Sequence, residues 1–275
     1  MKISCPTLLA LLLCLVMAVP AAARDKRGNR GNHTNGTAGN AVIVEPDRIS
    51  DKAHNVSLME PLEDPTGSDN ATARGHINSK YEEGIDVSHY QYTIDWQRLA
   101  SNHKISYVYI KATEGSNFVD DYYQQNIRGA HRAGISVGSY HFYRPNVNWR
   151  DQLAHMRKYI KKEDQDLVPM IDVEVAGGSE SKFISDLTDF VNAVTKAYGK
   201  RPILYTYQNF YNKHFVGLFK QYHWMIANYS QRPVLSDGRS YIMWQYSDTG
   251  RFSGITRATD KSRLMPGFAL KELKL

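Results

Sequence analysis

The rhythm of apolar and polar positions changes at Tyr81. From there to the C-terminus, short apolar runs alternate with stretches in which apolar residues recur every three or four positions. The first kind reads as buried strand and the second as amphipathic helix. Strands are expected at Gly84–Ser88, Ser106–Thr113, Ser136–Tyr143, Leu167–Val175, Pro202–Tyr207, His223–Tyr229 and Tyr241–Ser247, with a weaker one around Arg257–Asp260. The clearest helix is Ser181–Tyr198, where Phe183, Leu187, Val191, Val194 and Tyr198 share a face and Gly199 supplies the stop. Asp121–Ala133, ended by Gly134, and Trp149–Ile160, with Leu153, Met156 and Ile160 together, are also expected as helices.

The spacing of the strands carries topology. The first five starts lie about 20–35 residues apart, room for the helical crossovers that join parallel strands. The last three lie about 15–20 apart, too close for a full helix and suited to hairpins. This predicts an α/β domain: an irregular TIM-like β/α barrel with about five β/α units and a helix-poor C-terminal closure. A flat doubly wound sheet is the alternative.

Upstream the texture differs. Residues 1–23 carry Lys2, a nearly unbroken apolar run from Leu8 to Val19, and Ala21-Ala22-Ala23, the layout of a cleavable export signal. An uncleaved anchor is the alternative, the run being near the lower limit for a membrane span. Residues 24–80, rich in Asn, Gly, Asp, Ser, Thr and Arg, bury too little apolar surface to offset their ordering entropy and read as a flexible spacer. Residues 81–275 remain as the folded domain. Asn-x-Ser/Thr triplets at Asn32, Asn35, Asn55 and Asn70 would take glycans only in a eukaryotic secretory pathway.

Both cysteines, Cys5 and Cys14, fall inside the signal, so thiol catalysis, disulfides and Cys-ligated zinc are excluded from the mature chain. The net charge is +6, of which Lys2 holds one, leaving +5. No Lys/Arg block or basic helix stands out, so no nucleic-acid partner is expected. A mild positive excess suits encounter with polyanions such as bacterial walls. The histidines show no His-x-x-x-His or His-Glu-x-x-His spacing, and no metal or cofactor is expected.

The chemistry gathers on the fourth strand, Leu167-Val-Pro-Met-Ile-Asp172-Val-Glu174-Val175. Strand residues two apart point to the same side, so Asp172 and Glu174 share a face. Two acids in an apolar strand are costly to bury and repel as ions. That repulsion is expected to raise one pKa and leave the other group ionised, a proton donor beside a negative stabiliser. A strand-end pair bound to Arg or Lys, or a metal-binding pair, fits the spacing equally well. Asp86, Glu114 and Asp260 sit at or near other strand ends, and the C-terminal strand ends of a β/α barrel form its active-site mouth. Among many accompanying aromatics, Tyr140, Tyr207 and Trp244 are expected in the cleft, because flat rings with polar tips suit sugar faces. His89 and His141 are candidates for the cleft or for packing. Gly134-Ile-Ser136-Val-Gly138 matches the serine-hydrolase elbow but runs from helix to strand, the reverse of what that motif requires.

The segments Gly84-Ile-Asp-Val-Ser88, Tyr109-Ile-Lys-Ala-Thr-Glu-Gly115, Gly138-Ser-Tyr-His-Phe142, Pro169-Met-Ile-Asp-Val-Glu174, Trp224-Met-Ile-Ala-Asn-Tyr229 and Trp244-Gln-Tyr246 resemble, in this order, glycoside hydrolase family 25. These are the N,O-diacetylmuramidases, or Chalaropsis-type lysozymes. The resemblance covers about residues 81–270 and implies a barrel enzyme, a monomer without cofactor. It would cut the β-1,4 bond between N-acetylmuramic acid and N-acetylglucosamine in peptidoglycan glycan strands. It would act outside the cell, in the periplasm or at the cell envelope, with no membrane span once the signal is removed. The resemblance also implies Glu174 as general acid and Asp172 as the carboxylate that orients the substrate's N-acetyl group, with Asp86 and Asp260 as further cleft acids. Neighbouring-group attack and an aspartate nucleophile both remain open. Asp260-Lys261-Ser262 departs from the family's usual Asp-hydrophobic-Asn. A catalytically silent glycan-binding barrel and an enzyme acting on chitin are the competing readings.

Overall fold

The computed structural model describes residues 82–275. The expected signal (1–23) and spacer (24–80), with both cysteines and the four Asn-x-Ser/Thr triplets, lie outside the described residues.

Nine strands and five α-helices follow one another in these residues. The order begins β1 (Glu83–Val87), α1 (Trp96–Asn102), β2 (Tyr107–Glu114), β3 (Phe118–Val119), α2 (Tyr123–Arg132), β4 (Ser136–Phe142) and α3 (Trp149–Tyr159). It continues with β5 (Met170–Asp172), α4 (Glu180–Tyr198), β6 (Ile203–Tyr207), α5 (Gln208–His214), β7 (Trp224–Ala227), β8 (Met243–Gly250) and β9 (Thr259–Leu264). β1, β2, β4, β5, β6, β7 and β8 pair in parallel in that order. β9 runs antiparallel to both β8 and β1 and closes the ring. β3 is a short hairpin partner on the edge of β2. Closure through β1–β2 and β1–β9 makes a barrel and excludes the flat doubly wound sheet.

Five helical crossovers precede a closure without helices, as the spacing predicts. The hairpin expectation holds for β8–β9 and fails for β7–β8, which are parallel. Residues 228–242 make that crossover as irregular chain tied to its surroundings. Tyr211 donates to Asp237 at 2.9 Å, and the Ser236 amide donates to Asn212 at 2.9 Å. Such side-chain contacts do the positioning that a crossover helix does elsewhere.

Strand alternation divides the core. Ile85, Val108, Val137, Ile171, Leu204 and Ile226 point outward against helix residues including Leu99, Ile127, Met156, Leu187 and Val194. Each such buried aliphatic side chain contributes about 1.5–3 kcal/mol by leaving water. Tyr107, Tyr109, Met170, Ile203, Tyr205, Met225 and Met243 point inward and fill the barrel. α4 shows how local sequence sets an element: Ser179 caps its start through the Lys182 amide, and Gly199 ends it at φ +79°. The strand spacing left room for α1 and α5, but no periodicity placed them, since seven residues with two buried side chains each make too short a pattern. Among the described residues, no helix is long and apolar enough to cross a membrane.

Candidate active site

The C-terminal ends of the parallel strands β1 and β5, with the N-terminal start of antiparallel β9, carry the acids. β5 ends at Asp172, and the chain stays extended beyond it: the Tyr143 amide donates to Asp172 O and the Val173 amide to Tyr205 O, both at 2.9 Å. Ile171 and Val173 enter the outer core, so Asp172 and Glu174 turn to the mouth. Asp172 is 7% exposed, Glu174 half-buried. Oδ1 of Asp172 is buried without a hydrogen-bond partner among the described residues.

Asp86 on β1 and Asp260 on β9 are direct cross-strand partners, and their carboxyl groups are hydrogen-bonded. Gln245, on the inner face of β8, donates from Nε2 to both Asp86 oxygens at 3.1 Å. Its Oε1 accepts from the Tyr205 hydroxyl at 2.8 Å and the Tyr229 hydroxyl at 2.9 Å. Burial and then the Glu174 charge push the Tyr205 hydroxyl up, so that carboxyl lies close to it. One polar chain therefore links Asp260, Asp86, Gln245 and Tyr205, with Glu174 beside its end.

Burial raises the pKa of all four acids. Asp172 lies well above the ordinary carboxylate range, through burial first and the Glu174 charge second. Burial also raises Glu174, against a lowering contact from Tyr205 and the nearby Lys111 and Arg144. Asp260 is pushed well up by burial and by Asp86, and Asp86 is raised less because it accepts hydrogen bonds from Asp260 and Gln245. Desolvation acts on both members of the pair, so both are raised, Asp172 the more. The mouth holds protons, and mutual repulsion decides how they are shared.

The other expected residues divide. Tyr140 lies among the acids, its hydroxyl pushed up by burial and by Asp86, Asp172 and Asp260. Tyr207 ends β6 on the same side as Tyr205. Trp244 takes the opposite face of β8 from Gln245; its indole donates to Asn228 O at 2.8 Å, and its ring meets Arg263 and Tyr246. The structure does not bring it to the acids. Glu114 is ion-paired with Lys111 at 2.8 Å and with Arg144, which lowers its pKa despite partial burial. Lys111 in turn lies over the rings of Phe118 and Phe142.

His141 is fully buried between Thr113 and Gln152, and His89 pairs with Asp120 at 2.7 Å. Ser136, at the start of β4, lies at the strand end away from the acids and accepts from Lys274. Gln245, Tyr205 and Tyr229 were not singled out from sequence. Strand parity on β6 and β8 could have found the first two. A separate cavity of about 430 Å³ lies between the segments following β4 and β5, lined by Asn146, Trp149, Gly177 and Lys182 among others; none of the four acids lines it.

The family described as glycosyl hydrolases family 25 matches residues 85–255. The protein YegX of Escherichia coli O157:H7, itself uncharacterized, is 34% identical over 191 residues, covering 67% of this chain and 70% of its own. Lysozyme M1 of Streptomyces globisporus is 31% identical over 206 residues, 69% of each chain. The solved structure of a family 25 glycosyl hydrolase from Bacillus anthracis aligns with a TM-score of 0.65 at 30% identity, covering 75% of this chain and 97% of that one.

Proposed function

The chain belongs to glycosyl hydrolase family 25 and is a glycoside hydrolase of the lysozyme kind, and on that footing we propose the bond it cuts and the residues that cut it. The substrate is peptidoglycan, and the bond is the β-1,4 link between N-acetylmuramic acid and N-acetylglucosamine. Glu174 is the general acid, and Asp172 assists.

The observation that carries this reading is the pairing of a raised Glu174 with a buried Asp172 whose Oδ1 lacks a partner. A bare buried acceptor is costly unless something donates to it. The N–H of a substrate 2-acetamido group is such a donor. Held there, the acetamido carbonyl oxygen can attack C1 as Glu174 gives its proton to the departing glycosidic oxygen. Positive charge grows on the sugar and acetamido group as that bond breaks, and the Asp172 carboxyl on the acetamido side stabilises it once it has given up its proton. Water then attacks C1 and reopens the ring intermediate, passing a proton to the Glu174 carboxylate. The configuration at C1 is retained and the enzyme is restored. Tyr140 and Tyr207 border the site as sugar-contacting rings, and Asp86 and Asp260 line its far side.

Digestion of purified peptidoglycan, with new reducing ends identified by mass spectrometry, tests the bond. Reducing-end muramic acid is expected; reducing-end N-acetylglucosamine would reject the assignment. Glu174→Gln should lower turnover by about 10²–10⁴-fold or more while leaving folding and glycan binding nearly intact. Turnover close to normal would remove Glu174 from its role.

A further inference from the structure

Phe142 is the direct partner of Asp172 across the β4–β5 pair, so its ring turns to the same mouth. From there a row of rings runs outward along the barrel rim. Lys111 Nζ lies over Phe142, 5.4 Å from the ring centre, and over Phe118 at 5.2 Å. Phe118 meets the His89 ring at 5.9 Å between centres, and His89 meets Tyr90 at 4.2 Å. Exposure rises along the row, from 8% at Phe142 to 40% at Phe118 and 54% at Tyr90. A single exposed ring needs no explanation, but a continuous strip of them leading out of an enzyme mouth does.

The strip is held in place from below. The His89 amide donates to Asp120 Oδ2 at 2.8 Å, and its ring Nδ1 lies 2.7 Å from the same oxygen, with Asp120 itself buried. Ser88 caps the turn His89–Gln91 through the Tyr90 amide, and Gln91 ties that turn to Ala258 O at 2.8 Å. β3 sets Phe118 opposite Glu114, and the His155 ring donates to the Phe118 carbonyl at 2.8 Å. Rings placed in advance lose little freedom when a ligand meets them. Sugar rings present flat faces of C–H bonds that suit aromatic side chains. A polymer cut in its interior continues past the reacting sugars, and the strip offers it a matching surface. We propose that Phe118, His89 and Tyr90 form an outer subsite of the cleft, which takes sugar rings of the glycan strand beyond the two that flank the cleaved bond. This rests on the reading of the chain as a muramidase that cuts at Glu174 and Asp172.

The test compares two lengths of one substrate. Glycan strands freed of their stem peptides are supplied as a tetrasaccharide, which reaches little beyond the cut, and as strands several disaccharides longer. Tyr90→Ala and Phe118→Ala are assayed by release of reducing ends, with Tyr90→Trp as the conservative control and folding checked by thermal melting. Phe118 also lies against Lys111, so Tyr90→Ala is the deciding variant. Binding of the same sugars is measured by calorimetry in the Glu174→Gln background. On long strands each truncation should raise KM and the dissociation constant by about 3–10-fold with kcat nearly unchanged. Values for the tetrasaccharide should stay at those of the parent, and Tyr90→Trp should keep the preference for length. A Tyr90→Ala variant that matches the parent on long strands, or that weakens both lengths equally, overturns the outer subsite, as does a parent without a preference for length. Loss of that preference in binding, in a protein that releases no reducing ends from either substrate, leaves the subsite standing and overturns the muramidase reading.

Discussion

Asp86 and Asp260 face one another across the antiparallel β1–β9 pair, carboxyl to carboxyl, where the barrel closes. Both pKa values are raised by burial, Asp260 the more because Asp86 adjoins it, so Asp260 keeps its proton and donates to Asp86. A carboxyl raised in the folded state contributes its full stability below the unfolded value, near 3.9, and loses it as pH rises through the folded value. At neutral pH this pair therefore destabilises the fold. Asp260→Asn preserves a donor to Asp86 and removes the titration. Calorimetry at pH 7.5 should show Tm raised by about 2–4 °C, the response to ~1 kcal/mol in a domain of this length. The gain should vanish below about pH 4. A gain that persists at low pH would place its origin elsewhere.

Gly138 on β4 lies under the Tyr109 ring, and a Cβ there would come within 2.4 Å of it. Gly84 on β1 stands likewise under Tyr107, with 2.1 Å left. Two inward tyrosines fit side by side in the barrel because their neighbouring strands present no side chain. Gly138→Ala must push Tyr109 away from its hydrogen bond to Val168 O. It should lower stability by about 1–3 kcal/mol, seen as a reduced urea midpoint at unchanged slope. A midpoint equal to that of the parent would mean that the barrel interior yields freely.

These two glycines also mark what was legible beforehand. Ser181–Tyr198 could be read almost to its ends, since nineteen helical residues repeat the apolar period many times. The strand-end acids were legible because charge inside an apolar run needs a reason. The parallel sense of β7 and β8 was not, because a crossover of irregular chain has no period to detect. Trp244 was chosen for its ring, whereas strand parity places Gln245 at the mouth and Trp244 on the other face. Residue type suggested sugar contact, and alternation along β8 decided the position. That burial acts on both Asp172 and Glu174 depends on the whole strand ring, which no local pattern contains.

Asp172→Asn separates charge from shape. Asparagine can turn its carbonyl oxygen to an acetamido N–H, so binding should change little. It cannot offset positive charge growing at the sugar, and kcat should fall by about 10²–10³-fold with KM within a few-fold of the parent. Repulsion between Asp172 and Glu174 is mutual, so the variant should also move the basic limb of the pH profile to lower pH. A rise in KM with kcat preserved would make Asp172 a binding residue only.

His141 sets an acid limit on the fold. The Gln152 amide group donates from Nε2 to the carbonyls of Arg144 at 2.9 Å and Val147 at 3.0 Å, which leaves its Oε1 directed at the Arg144 amide and the His141 ring. Nε2 of His141 must therefore carry the hydrogen given to Oε1, and Nδ1 accepts from Thr113 at 2.8 Å. A second proton on Nδ1 would need Thr113 to turn its hydrogen away, and burial brings the pKa down to about 3. The unfolded chain takes up that proton near pH 6.5, so stability is present above this value and is lost as pH falls towards 3. The loss from this residue is roughly 2 kcal/mol at pH 5. Imidazole ¹⁵N shifts should show the neutral Nε2–H tautomer unchanged from pH 8 to pH 4. His141→Gln, whatever its stability at pH 8, should lose less on acidification than the parent does. If the two fall in parallel between pH 7 and pH 4, His141 is not the group that limits the fold in acid.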